Sequence, residues 1–192
     1  MSSEAYIDRL KLIFSQPRTF FENTTGEGIG PSLILFSITL FAAKMLGAVN
    51  SLFFLHISPI RLPYYNPFYY FGRGESLLVI PLTIFLTLIA LGIFASLMHG
   101  FAKLFHGKAG YSESMKILLY SMVPFNIISL IPLVGWLSVF YSLTLCCFGV
   151  KEAHSISTGK AVTAVILSAL LITIIPVALL AVLWFLMIGA YY

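Results

Sequence analysis

The chain reads as long apolar runs separated by short polar breaks. No Asp, Glu, Lys or Arg occurs in the 27 residues between Glu75 and Lys103, in the 34 between Lys116 and Lys151, or in the 32 after Lys160. Roughly 20 apolar residues span a bilayer as a helix, so these runs predict membrane spans. The first covers residues 31–55, where Pro31 suits an opening helical turn. The second covers 77–100 and the last 161–184, with Pro176 inside it as a kink unless neighbours satisfy the freed carbonyl. The stretch 117–150 is too long for one crossing. As a single helix it would reach about 50 Å, against a hydrocarbon core of about 30 Å. Pro132 and Gly135 supply a turn, which divides the stretch into spans 114–131 and 134–150. The prediction is an all-α polytopic membrane protein with five transmembrane helices.

A different pattern precedes the first span. Tyr6, Ile7, Leu10, Ile13 and Phe14 share one helical face, with Asp8, Arg9 and Lys11 off it. That is a short amphipathic helix, lying in the membrane interface or packed on the ends of the spans. Pro17 should end it, Phe20 and Phe21 should anchor the chain at the surface, and NTTGEGIG should be a flexible link. The organisation expected is a cytoplasmic segment over 1–30 and a five-span domain over 31–192. Residues 56–76, with three prolines, four tyrosines and two phenylalanines, suggest a segment lying along the outer interface.

Composition excludes a soluble domain. The chain is 59% hydrophobic and 9% charged, with mean hydropathy +0.98, whereas soluble domains carry about 25% charged residues. The formal charge of +4 does not indicate nucleic acid, because the 11 basic residues form no stripe. They report topology instead. With five spans and a cytoplasmic N-terminus, Arg9, Lys11, Arg18, Lys103, Lys108, Lys116, Lys151 and Lys160 lie inside and only Arg61 and Arg73 outside. The adjacent Cys146 and Cys147 match no zinc motif and no disulfide framework.

Two groups of residues could carry chemistry. Lys44 falls near the middle of the first span, where an ionisable group costs at least about 2.5–3.5 kcal/mol and needs partners. Depth matching offers Asn126 and the Tyr120 carbonyl freed by Pro124. This intramembrane polar site either fixes helix register or lines a pathway. The second group is His99, His106, Glu152 and His154, near the inner mouth. Imidazole and carboxylate can ligate a metal, although no spacing here is diagnostic. His99 and His106 would share a face if the second span continued that far. No catalytic residue and no cofactor is assigned. Gly47, Gly92, Ala95, Ser96, Ser138, Ser142, Ser168 and Ala169 permit close helix approach.

The N-terminal FSQPRTFF resembles the opening motif of the Yip family, the Ypt/Rab-interacting membrane proteins and their prokaryotic relatives. LFHGKAGYSES, LYSMVPFNIISLIPLVGW and CCFGVKEAHSISTGKA resemble that family's glycine-bearing loop, proline-bearing helix with a Pro-Gly turn, and G-x-x-E exit. The resemblance covers essentially the whole chain and implies five spans with a cytoplasmic N-terminus. Eukaryotic members carry a long N-terminal region that meets Rab-type GTPases. Here that region is about 30 residues long, so the resemblance is to short prokaryotic members in a cell membrane. The function it implies is a non-catalytic membrane scaffold, adaptor or bilayer-organising module. The bilayer is the first partner, the cytoplasmic face is left for protein partners, and a homo-oligomer is compatible. The alternative is a small transporter or channel with Lys44 in an intramembrane cavity.

Overall fold

The computed structural model describes residues 3–57, 76–131 and 134–189. Seven α-helices run in order: α1 Ser3–Ser15, α2 Pro17–Thr24, α3 Gly30–Ile57, α4 Ser76–Leu104, α5 Tyr111–Ile128, α6 Leu137–His154 and α7 Thr158–Gly189. The five long helices stand where the five apolar runs predicted them. The aromatic loop, with Arg61 and Arg73, and the Pro132 turn residue lie outside the described residues.

Three of the five are long and apolar enough to cross a membrane, over Gly30–Gly47, Pro81–Leu104 and Thr158–Ala178. The predicted spans 114–131 and 134–150 do not meet that measure, which corrects the count. The reason lies in their surroundings. α5 packs against α3, α4 and α6 and buries Ser114, Lys116, Ser121 and Asn126 along with its apolar residues. α6 buries Ser138, Ser142 and His154. Helices enclosed by protein can carry polar groups that lipid-facing helices cannot.

The outer helices, unlike those of a soluble bundle, are apolar on their exposed faces as well as their buried ones. α3 buries Ser32, Leu35, Phe36 and Thr39 and exposes Ile34, Ile38 and Phe41. α7 buries Ala161, Ala164 and Ser168 and exposes Ile166, Leu170, Ile174 and Val177. Small residues inside let α7 and its neighbour α4, which buries Ala95 and Ala102, approach closely. Gly149 on α6 does the same toward α5. A Cβ there would sit 2.5 Å from Ile117 Cγ2 and 3.0 Å from Phe21 Cε1. The helices run on through Pro81, Pro124 and Pro176.

The N-terminal segment departs from expectation. α1 does end before Pro17, but Pro17 opens a second helix, α2, where its missing N–H costs nothing. Phe20 and Phe21 are buried, and Phe20 meets the Tyr120 ring edge-on at 4.8 Å. They are core residues, not surface anchors. α1 docks through Ile13, with Tyr6 and Leu10 half-buried, while Ile7 and Phe14 stay exposed. Phe14 stacks on Tyr141 at 6.0 Å. The Tyr141 hydroxyl donates to the Ile13 and Phe14 carbonyls at 3.0 and 3.3 Å, satisfying acceptors that the end of α1 would otherwise leave unpaired.

Candidate functional site

The polar side chains gather at the end of the bundle where α1 and α2 dock. The centre is Lys116, on the second turn of α5 and only 2% exposed. A buried ammonium needs oxygen acceptors or it is costly. Lys116 Nζ donates to the Thr24 carbonyl at 2.7 Å, the Glu27 carbonyl at 2.8 Å and Glu113 Oε1 at 2.9 Å, with Glu113 Oε2 at 2.8 Å. Two of these acceptors belong to the NTTGEGIG segment, which is therefore not a flexible link. It folds around the ammonium.

Arg9 completes the attachment. Its guanidinium meets Glu27 through both terminal nitrogens, Nη1 to Oε2 at 3.0 Å and Nη2 to Oε1 at 2.8 Å, and Nη1 donates to the Tyr120 hydroxyl at 2.5 Å. Planar two-point pairing favours arginine over lysine here. Phe21, Thr24, Lys116, Tyr120 and Gly149 line a small cavity with room for about one water molecule. Arg18 reaches Glu22 at 3.0 Å and Glu152 at 3.4 Å, and Lys151 lies 3.2 Å from Glu152, so α2 is tied to the end of α6 as well.

A second polar chain crosses α4, α5 and α6. His99 Nδ1 and His154 Nε2 lie 3.0 and 2.9 Å from Ser114 Oγ. One hydroxyl bridges both rings: a ring that accepts its hydrogen is unprotonated at that nitrogen, and a ring that donates to Oγ carries the proton there. A proton added to both rings would leave the hydroxyl hydrogen with no imidazole nitrogen to donate to. His154 is fully buried, and its Nδ1 has no hydrogen-bond partner among the described residues. Burial, and then the neighbouring His99 and Lys103, push its pKa down to about 4, with Glu113 opposing. The ring packs against Gly107, where an added Cβ would sit 2.5 Å from Nδ1. The Lys108 N–H donates to the His154 carbonyl at 3.1 Å.

Of the four residues offered for a metal, His99 and His154 come together, with ring centroids 5.7 Å apart. Glu152 is engaged with Arg18 and Lys151. His106 is exposed beyond the end of α4, because the helix stops at Leu104 and the shared face does not continue. Among the described residues no three His, Cys, Asp or Glu side chains are placed to hold a metal ion. Lys44 is half-buried on α3. Asn126 is buried, and its amide donates to Thr39 Oγ1 at 3.3 Å, so the α3 residue it meets lies five positions before Lys44. Cys146 is buried and Cys147 half-buried, both as free thiols.

A Yip1 domain model matches residues 11–185. The chain belongs to the Yip1 domain family. The match takes in α2 to α6 entire, the last five residues of α1 and all but the final turn of α7. No curated protein and no solved structure matches the chain. The Arg9–Glu27–Tyr120 and Lys116 contacts of this Yip1 protein were missed at the level of sequence. The available signal was Glu113 three residues before Lys116, an intrahelical pair straddling the start of a predicted span.

Proposed function

We propose that this Yip1 protein is a non-catalytic integral membrane module, a scaffold or adaptor that presents a rigid cytoplasmic face on a helical bundle. The supporting observation is the use to which its ionised side chains are put. Arg9, Glu27, Glu113 and Lys116 are spent on one another and on backbone carbonyls, where they hold α1 and α2 to α5. The cavity beside them admits a water and no substrate. Groups neutralised in this way position a surface; they are not poised to react.

The reading includes a cytoplasmic N-terminus, a prokaryotic cell membrane and five crossings. α5 and α6, at 18 residues each, extend about 27 Å, close to the hydrocarbon thickness. α5 is enclosed by α3, α4 and α6, and α6 packs on α5, α7 and α2, so neither need be as apolar as α3, α4 and α7. The alternative, a small transporter or channel, rests on Lys44.

The test is to release the attachment and examine function and insertion separately. Arg9→Ala with Glu27→Ala should leave the protein in the membrane and abolish recovery of its partners by crosslinking in native membranes. Lys44→Met should leave both unchanged. Loss of solute flux in Lys44→Met proteoliposomes, with wild-type protein conducting, would overturn the scaffold reading in favour of transport.

A further inference from the structure

The acids described at the polar end from Asp8 onward are engaged. Asp8 faces Lys11, Glu22 and Glu152 face Arg18, Glu152 also faces Lys151, and Glu27 and Glu113 hold Arg9 and Lys116. Beside them stand three exposed lysines, Lys103, Lys108 and Lys160, with no acidic partner among the described residues. Lys103 is in the last turn of α4, Lys108 in the loop that follows, and Lys160 in the first turn of α7. Lys103 also bears on the buried His154 through its charge.

These lysines are carried on a fixed frame. Gly107 lies against the His154 ring, and the Lys108 N–H is bonded to the His154 carbonyl, which locks the α4–α5 loop to the α6–α7 turn. Their depth is set by the spans. The apolar stretch of α4 ends at Leu104 and that of α7 begins at Thr158. The three ammonium groups therefore emerge where phospholipid headgroups lie, with exposed Leu104 turned to the acyl boundary beside Lys103. The N-terminus of α7 adds partial positive charge next to Lys160.

We propose that the α4–α5 loop and the start of α7 form a docking surface for anionic phospholipid headgroups, held by Lys103, Lys108 and Lys160. This rests on the membrane-spanning reading above. Uncompensated lysines at headgroup depth attract lipid phosphates within a Debye length, and salt screens that attraction. The arginines and lysines of the α1–α2 side are excluded from this role because their charges are already met by carboxylates.

The experiment uses the full chain in nanodiscs of phosphatidylcholine, with or without phosphatidylglycerol, and reads thermal unfolding together with the lipid retained in native mass spectrometry. Wild-type protein should unfold several degrees higher in the anionic discs, should retain phosphatidylglycerol, and should lose the increment at high salt. The Lys103→Gln, Lys108→Gln, Lys160→Gln triple variant should match wild type in phosphatidylcholine and lose both effects of phosphatidylglycerol. Lys11→Gln, on docked α1, should keep them. A triple variant with the full increment would overturn the proposal. Reproduction of the increment by inorganic phosphate in neutral discs would overturn the lipid assignment. Failure to enter neutral discs at all would overturn the membrane-spanning reading itself, and this proposal with it.

Discussion

Lys116 shows what one buried charge does in this protein. It is satisfied by a carboxylate and two carbonyls, so truncation orphans three acceptors at once. Lys116→Met should destabilise by about 3 kcal/mol, near the lower end of the range for breaking a buried pair, because Glu113 retains some solvent contact. Adding Glu113→Gln should recover part of that loss, and thermal unfolding in detergent measures both. His154 makes a pH prediction. Its folded pKa near 4 lies below the ordinary 6.5, so the unfolded chain binds the proton first as pH falls. The stability contributed by the neutral ring is present above about pH 6.5 and drains away down to about pH 4. His99, Lys103 and Glu113 face the same ring. The comparison is therefore wild type against His154→Gln, whose melting temperature should depend less on pH across that window.

At the scale of the elements, two helix ends repeat one device. α4 closes with the His106 N–H on the Lys103 carbonyl and the Gly107 N–H on the Ala102 carbonyl. α6 closes with Ser155 on Glu152 and Ile156 on Lys151. Both are Schellman motifs, and both place a non-glycine residue at positive φ, +66° for His106 and +53° for Ser155. A side chain there costs about 1–2 kcal/mol, and the entropy of an introduced glycine returns part of it. His106→Gly and Ser155→Gly should each stabilise by about 0.5–1 kcal/mol in detergent unfolding. Gly149 is the opposite case. Gly149→Ala drives a methyl into Ile117 and Phe21, and should destabilise by about 1–3 kcal/mol as α5, α6 and α2 separate to admit it.

At the scale of the whole molecule, one end of the bundle carries the docked N-terminal pair, the α4–α5 loop and the α6–α7 turn. Single cysteines at Ser15, Lys108 and Ser157, in a chain lacking Cys146 and Cys147, should therefore label from the same side of the membrane. On the proposed orientation that side is the cytoplasm, so none of the three should label from outside. Labelling of Ser157 from outside would break the five-crossing arrangement. Apolar residues turned outward along α3, α4 and α7 further predict that the protein needs detergent or lipid to stay dispersed.

The membrane character, the five long helices and the apolar stripe of α1 were legible because each is a local property of consecutive residues. Charge-free runs and a period of 3.6 are visible without knowing what lies opposite. The Yip likeness was legible for the same reason, in the order of its prolines, glycines and short polar turns. What only the tertiary structure decided is which polar groups meet. Lys116 and Arg9 find acceptors 89–111 residues away, and Ser114 joins histidines on two other helices. No periodicity encodes such pairs. The same isolation misread α2 and the segment after it, where Phe20, Phe21 and NTTGEGIG look like surface and linker until a buried ammonium on another helix supplies the reason to fold. It also treated α5 and α6 as apolar runs like the other three, whereas both carry buried polar side chains, such as Asn126 and Lys116 on α5 and Ser142 on α6, that their protein neighbours accommodate.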